Sequence, residues 1–166
     1  MLAGSLWLAL RPPRGLTTSR LARLLGVGAA FALGAGLLVV ARLRDEHWGV
    51  VDYAFLGPAV TYFLVSAVVA AADGSLWAGL QATVWTALVG SLLMFVVWLV
   101  EAARWYRIDG SLLLDGESGY PIGENLADAV IWLLVLGPVW TLPFGVFGAV
   151  AGRAWRRRQR AGVLTH

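Results

Sequence analysis

Four long stretches without any charged side chain limit the possible folds of this chain more than any other feature. Residues 24–41, 53–72, 74–100 and 129–152 contain no Asp, Glu, Lys or Arg. A bilayer core about 30 Å thick needs roughly 20 apolar residues in a helix, so each stretch is long enough to span a membrane. None alternates polar and apolar residues as a barrel strand does. The sequence therefore predicts an all-α integral membrane protein with a bundle of four transmembrane helices.

The domain organisation follows from these stretches. Residues 21–152 are predicted to form one membrane domain, with helices over residues of about 22–42, 53–72, 76–103 and 126–152. The opening MLAGSLWLAL is followed rather than preceded by arginine, which is unlike a signal peptide, so residues 1–20 are interpreted as an interfacial arm. Residues 153–166 form a basic tail.

Two local signals mark helix boundaries. Ser19 or Thr18 is expected to be the N-cap of the first helix, since a hydroxyl there accepts from the first free amides. The Asp73–Gly74 pair predicts a tight turn that makes the second and third helices antiparallel neighbours.

The distribution of basic residues predicts the orientation in the membrane. Thirteen residues are basic and all are arginine. Four lie in the loops after the first and third helices, and nine lie near the two termini: Arg11, Arg14, Arg20, Arg23, Arg153, Arg156, Arg157, Arg158 and Arg160. The positive-inside rule then places both termini in the cytoplasm and the acidic loop between the third and fourth helices outside.

Composition excludes several classes of function. The net charge of +3 resides on arginines that flank membrane spans, so no nucleic-acid partner is expected. The chain has no Cys, which excludes thiol–disulfide chemistry and iron–sulfur ligation. His47 and His166 lie outside the predicted helices, which argues against haem and intramembrane metalloprotease sites. No metal and no cofactor are predicted, and the all-arginine, Ala- and Gly-rich composition favours a bacterial cytoplasmic membrane.

Small residues at four-residue spacing predict where helices approach closely. Gly28, Ala32 and Gly36 form such a stripe in the first helix, and Gly148 and Gly152 in the last. Either another helix of the same bundle or a second subunit could pack on them. The polar residues of the third helix are interpreted as interhelical hydrogen-bonding groups worth about 0.6 kcal/mol each: Gln81, Thr83, Thr86 and Ser91.

Two prolines, Pro138 and Pro143, interrupt the last helix and enclose Trp140 and Thr141. Broken helices near the middle of a membrane often hold transport sites. The alternative is a bend without a binding role, which the sequence favours because no other helix is broken in a matching way.

The loop between the third and fourth helices contains a possible polar cluster: Glu101, Arg104 and Asp128. Glu101 and Arg104 have the spacing of a local ion pair, and Asp128, behind an Asn125 cap, suits the positive end of the last helix. Convergence of the three over a groove would indicate an enzyme at the outer surface. The loop itself, over residues 105–124, is longer than a hairpin needs and suits docking of a partner.

The basic tail is predicted to contact anionic lipid headgroups through Arg153, Arg156, Arg157 and Arg158. The lipid bilayer is thus one partner, and a membrane protein or a second copy of the chain is another. The favoured function is that of a non-catalytic subunit or assembly partner of a membrane complex. A transporter or channel component using the interrupted helix is the alternative, and an outer-surface enzyme is the weakest of the three.

Overall fold

The chain is helical throughout its described residues, except at Ser19 and at the turn of Gly74 and Ser75. The computed structural model describes residues 19–43, 48–109 and 122–163. Most of the predicted arm, the middle of the acidic loop and the end of the tail therefore lie outside the described residues. The elements are α1 (Arg20–Leu43), α2 (Trp48–Asp73), α3 (Leu76–Asp109), α4 (Ile122–Ala129), a π-helical segment (Val130–Leu136) and α5 (Gly137–Val163).

Among the described residues, four helices are long and apolar enough to cross a membrane, as the charge-free stretches predict. Their spans are Arg20–Arg42, Asp52–Asp73, Leu76–Arg104 and Leu126–Ala161. The last combines part of α4, the π-helical segment and most of α5, and is called the fourth span below.

The end of the third span and both ends of the fourth lie beyond the predicted limits, whereas α3 begins at Leu76 as predicted. α3 continues to Asp109, and α5 continues to Val163 through most of the predicted tail. Glu, Arg and Ala are good helix formers, so leaving the apolar region does not end these helices. α4 begins at Ile122. Asn125 therefore lies inside a helix, and Asp128 lies in the last turn of α4 rather than at a helix start.

Ser19 joins three helices at one end of the bundle. Its hydroxyl oxygen accepts from the Ala22 N–H at 3.2 Å, which makes it the N-cap of α1. The same hydroxyl donates to Asp73 Oδ2 at 2.6 Å, and the Ser19 N–H donates to Gln81 Oε1 at 3.0 Å. The starts of α1 and α3 therefore lie beside the end of α2. This end is called the terminal end, and the opposite one, which contains Arg42, the loop end.

The largest helix interfaces are between α2 and α5 and between α1 and α3. The tight turn after α2 is present, with Gly74 at a φ of 72° and its N–H bonded to Ala70 O at 2.9 Å. α2 and α3 do contact each other, as the turn predicts, but over a smaller surface than either shares with its main neighbour. Chain connectivity thus does not decide which helices pack most closely.

Glycines explain the close approach of α5 to α2. A Cβ atom added at Gly148 or at Gly152 would collide with the backbone carbonyl oxygen of Phe63 or of Ala67, respectively. Gly26 has the same role between α1 and α3, where a Cβ atom would lie 2.7 Å from the Ala82 carbonyl oxygen. Such contacts let two backbones meet where lipid gives no hydrophobic drive for association.

The predicted stripe on α1 has a different environment. Gly28 has open space where a side chain would be, and Ala32 is exposed. Gly36 lies against the Tyr53 ring at the start of α2. The face of α1 that is buried in the bundle is another one: Ala22, Gly26, Ala30, Leu33, Leu37 and Ala41. Packing of Gly28 and Ala32 on a second subunit stays a prediction.

The two glycine environments give a matched pair of variants. We expect Gly148→Ala to lower the free energy of unfolding by about 1–3 kcal/mol, since the added methyl group must push α5 away from α2. Gly28→Ala should leave stability unchanged or raise it by up to about 1 kcal/mol, because alanine is the better helix former and meets nothing. Unfolding of both variants in detergent, followed by circular dichroism, compares them. Equal stability of the two would contradict this account of the α2–α5 interface.

Candidate functional site

A buried carboxylate at the loop end connects α1 and α3. The side chain of Glu101 is only 2% exposed. Its Oε1 accepts from Arg42 Nε and Nη2, both at 3.2 Å, and its Oε2 accepts from Arg104 Nη1 at 2.9 Å. These three residues are called the arginine–glutamate cluster. The predicted pair of Glu101 with Arg104 is confirmed. The contact of Arg42 with Glu101 was not predicted, because the only sequence signal of Arg42 is that a basic residue stands in the last turn of the first helix.

The cluster balances a charge that could not otherwise be buried there. A carboxylate removed from water needs both a compensating charge and hydrogen bonds to its oxygens. The two guanidiniums supply both, and they remain about half exposed, at 56% for Arg42 and 48% for Arg104. The cluster carries a formal net charge of +1. Glu101 accepts three hydrogen bonds from arginine and its side chain is almost fully buried, so the contacts give this carboxylate a structural role.

The third residue of the predicted polar cluster is not bonded to the other two. Asp128 is exposed on α4, and within the described ranges no hydrogen bond or ion pair joins it to Glu101 or Arg104. An enzyme mechanism that needs the three groups to act together therefore gains no support from the contacts.

The interrupted part of the fourth span is a π-helical segment, which is followed by Gly137 and then by Pro138. The Gly137 N–H donates to the Trp132 carbonyl five residues back, which widens the helix immediately before the proline that lacks an N–H. The second proline, Pro143, is exposed inside α5. Trp140 is 67% exposed and points away from the bundle, while Thr141 is buried.

Thr141 belongs to a buried set of hydroxyl groups between three helices. Its Oγ1 donates to the Gly137 carbonyl at 2.6 Å. The hydroxyl of Tyr62 on α2 lies beside the side chains of Thr141 and of Ser91 on α3. Tyr62, Ser91 and Thr141, all buried, are called the hydroxyl node. The node thus brings together polar groups from three helices in the apolar interior, where a polar group without a partner is costly.

Two further buried hydroxyls bond across helix interfaces, and for one of them, Thr86, the sequence interpretation expects it. Ser66 Oγ donates to the Gly145 carbonyl at 2.6 Å, joining α2 to α5. Thr86 Oγ1 lies 3.1 Å from the Gly26 carbonyl oxygen on α1 and 2.8 Å from that of Ala82 in its own helix. Thr83 instead bonds within its own helix, to the Gly79 carbonyl at 3.3 Å.

The arginines predicted to contact lipid headgroups differ in their surroundings. Arg156 Nη1 donates to the Ala72 carbonyl at 2.6 Å and so caps the C-terminal end of α2. Arg153, Arg157 and Arg158 are exposed on α5. Their contact with anionic lipid stays a prediction, whereas Arg156 connects α5 to α2 at the terminal end.

No protein-family model, no curated protein and no solved structure matches this chain. Among the described residues, no group of three or more His, Asp or Glu side chains is placed to hold a metal ion. The function is therefore argued from the geometry of the chain itself.

The arginine–glutamate cluster makes a prediction about stability. Arg42→Gln leaves Glu101 buried with a single guanidinium, and we expect the free energy of unfolding to fall by about 1–3 kcal/mol, less than for a fully buried pair because Arg42 is half exposed. Arg107→Gln removes an exposed arginine from the same helix as Glu101 and should change stability by less than about 0.5 kcal/mol. The measurement is the unfolding midpoint of each variant, compared with that of the native protein in the same detergent. Similar values would show that Arg42 does not support the buried carboxylate.

Proposed function

We propose that this chain is a non-catalytic membrane subunit or assembly partner, and that its fourth span binds another membrane protein. The observation that carries the proposal is the low burial of this span. Only 17% of an apolar stretch of 18 residues in this span is buried, against 33% to 39% of the corresponding stretch in each of the other three spans. The bundle therefore leaves most of one helix uncovered.

The uncovered side of the fourth span is rich in aromatic residues. Trp140, Phe144, Phe147 and Trp155 are exposed, and at 3.6 residues per turn they fall within a sector of about 80°. They are called the aromatic face. The adjoining sector of α5 holds Gly145, Gly148 and Gly152 against α2 and α3.

Aromatic residues of this kind support a protein partner rather than lipid alone. Tryptophan in a membrane protein is concentrated near the membrane surface, a position that suits Trp155 beside the arginines of α5. Trp140 and Phe147 lie deeper in the span, and they are the most exposed members of the aromatic face, at 67% and 64%. Large aromatic side chains are also the residues that contribute most to protein interfaces.

The buried polar groups are consistent with a structural protein. Both oxygens of Glu101 accept from arginine, the Thr141 hydroxyl donates to the Gly137 carbonyl, and the Tyr62 hydroxyl lies in the hydroxyl node between three helices. Each of these groups joins helices in the fold, which is a sufficient reason for its presence.

A bacterial cytoplasmic membrane, with both termini in the cytoplasm, is part of the same proposal. It is supported by the arginines at the terminal end, which include Arg20 and Arg23 on α1 and those of α5.

Co-purification tests the proposal directly. We expect the native protein, extracted in a mild detergent, to retain a membrane protein in fixed stoichiometry, and the double variant Trp140→Ala, Phe147→Ala to lose it. The matched control Phe31→Ala, Leu64→Ala removes two exposed apolar side chains from α1 and α2 and should retain the partner. Mass spectrometry of the purified material gives the readout.

Two results would contradict this assignment: no companion with the native protein, or equal retention by the aromatic variant. Recovery of a second copy of the chain as the companion would identify the interface as that of a homo-oligomer. Shortening the loop over residues 111–119 in a separate variant tests whether the acidic loop contributes to the same interface.

Transport is the second candidate function, and a specific observation favours it. The π-helical segment ends at Leu136, little more than one turn before Thr141. Thr141 belongs to the hydroxyl node, which contains three buried polar side chains. Segments of π-helix occur frequently at functional sites. A pathway for a solute would require water to reach Thr141.

Cysteine labelling separates the two candidates, because the chain contains no natural Cys. We expect Thr141→Cys to stay unlabelled by a water-soluble maleimide in intact membranes, since the side chain of Thr141 is buried and bonded within the bundle. Ala161→Cys at the exposed end of α5 is the positive control. Labelling of Thr141→Cys at a rate near that of Ala161→Cys would favour transport over the subunit role.

A further inference from the structure

The two arginines of the arginine–glutamate cluster retain many unused hydrogen-bond donors. A guanidinium has five N–H groups. Arg42 donates two of them to Glu101, through Nε and Nη2, and Arg104 donates one, through Nη1. In the described ranges the two side chains have no other hydrogen-bond or ion-pair partner, and about half of each is exposed. One buried carboxylate thus holds two guanidiniums, one on each of its oxygens, and seven of their ten N–H groups are still available.

From this arrangement we propose that Arg42 and Arg104 form a binding site for one phosphate group at the membrane surface, that of an anionic phospholipid headgroup. The site lies at the loop end, away from the basic tail for which the sequence predicts lipid contacts.

The depth of the two arginines supports this ligand. Arg42 is the last residue of the first candidate span, and Arg104 is the last residue of the third. Arginine at the end of a span extends its charged group to the level of the headgroups while its aliphatic part stays along apolar surface. A phospholipid phosphate lies at the same level.

Charge and geometry match a phosphate diester. The cluster has a formal net charge of +1, and a diester carries a single negative charge. Planar guanidiniums bind phosphate oxygens through two parallel N–H groups, which a lysine cannot do. Because Glu101 already restrains both side chains, little conformational entropy remains to be lost when a phosphate binds.

The adjoining surface suits the acyl chains of the same lipid. Val39 is exposed on α1 one turn before Arg42, and Val100 is exposed on α3 one turn before Arg104. A headgroup bound by the arginines would therefore continue into apolar side chains on both helices. Free phosphate would gain nothing from these valines.

A lipid titration tests the site. Purified protein in a neutral detergent is titrated with phosphatidylglycerol, and native mass spectrometry counts the lipids retained. Phosphatidylcholine, whose choline group offsets the phosphate charge, is the reference lipid. We expect the native protein to bind phosphatidylglycerol at least tenfold more tightly than phosphatidylcholine.

Lysine variants are used because each retains a positive charge near Glu101, so the buried carboxylate stays compensated and the protein is expected to fold. Arg42→Lys and Arg104→Lys should each weaken phosphatidylglycerol binding about tenfold, equivalent to about 1.4 kcal/mol. Arg107→Lys, at an exposed arginine one turn beyond Arg104, is the matched control and should change binding less than twofold. Circular dichroism and a melting curve confirm that all three variants are folded.

The outcomes separate the source of the phosphate from the existence of the site. Displacement of phosphatidylglycerol from the native protein by millimolar inorganic phosphate would support a phosphate site that also takes the free anion. Resistance to displacement, together with the loss in both lysine variants, would support a lipid site. Unchanged binding by Arg42→Lys and Arg104→Lys, an equal loss in Arg107→Lys, or no preference for phosphatidylglycerol by the native protein would overturn the proposal.

Discussion

The contact of α5 with α2 through Gly148 and Gly152 supports much of the architecture, because it sets how closely the fourth span approaches the others. In water, apolar side chains alone would drive these helices together. In lipid they do not, so association depends on close packing of backbones and on interhelical hydrogen bonds. The Ser66 hydroxyl, bonded to the Gly145 carbonyl one turn before Gly148, adds such a bond to the same interface. With its small residues directed inward, α5 leaves its aromatic face on the outside.

Polar groups connect the helices at three levels of the bundle. Ser19 joins α1 to α2 and α3 at the terminal end, the hydroxyl node joins α2, α3 and α5 in the interior, and Glu101 joins α3 to α1 at the loop end. An unsatisfied polar group in the hydrocarbon region costs several kcal/mol. Each level therefore restrains the positions of the helices that share it. Our two proposals accordingly place function on the outside of the bundle, in the aromatic face and in the exposed guanidiniums of Arg42 and Arg104.

The candidate site could be predicted from the sequence only where its contacts are local. Glu101 and Arg104 are three residues apart on one helix, so their ion pair follows from helix geometry. Arg42 is 59 positions from Glu101, and only the packing of α1 on α3 brings them together. Pro138 predicts a disturbance in the last helix, but the π-helical segment that accommodates it depends on the Gly137 bond to Trp132 and on the buried position of Thr141. Ser91 was interpreted as an interhelical hydrogen-bonding group, but its partner helix could not be predicted, and Tyr62 had no distinguishing signal, because a single hydroxyl in an apolar helix gives no direction.

By itself the sequence determined the four spans, a cap at Ser19 or Thr18 and the turn at Gly74, since each depends on composition or on residues close together in the chain. Only the tertiary structure decided the rotation of each helix about its axis and its neighbours. Gly28 and Gly148 have the same kind of spacing signal, yet one meets open space and the other meets the backbone of α2. The physical reason is that a membrane helix is apolar on all sides. The contrast between apolar and polar faces that orients a helix in a soluble protein is absent here, and close contacts between distant parts of the chain decide which side faces inward.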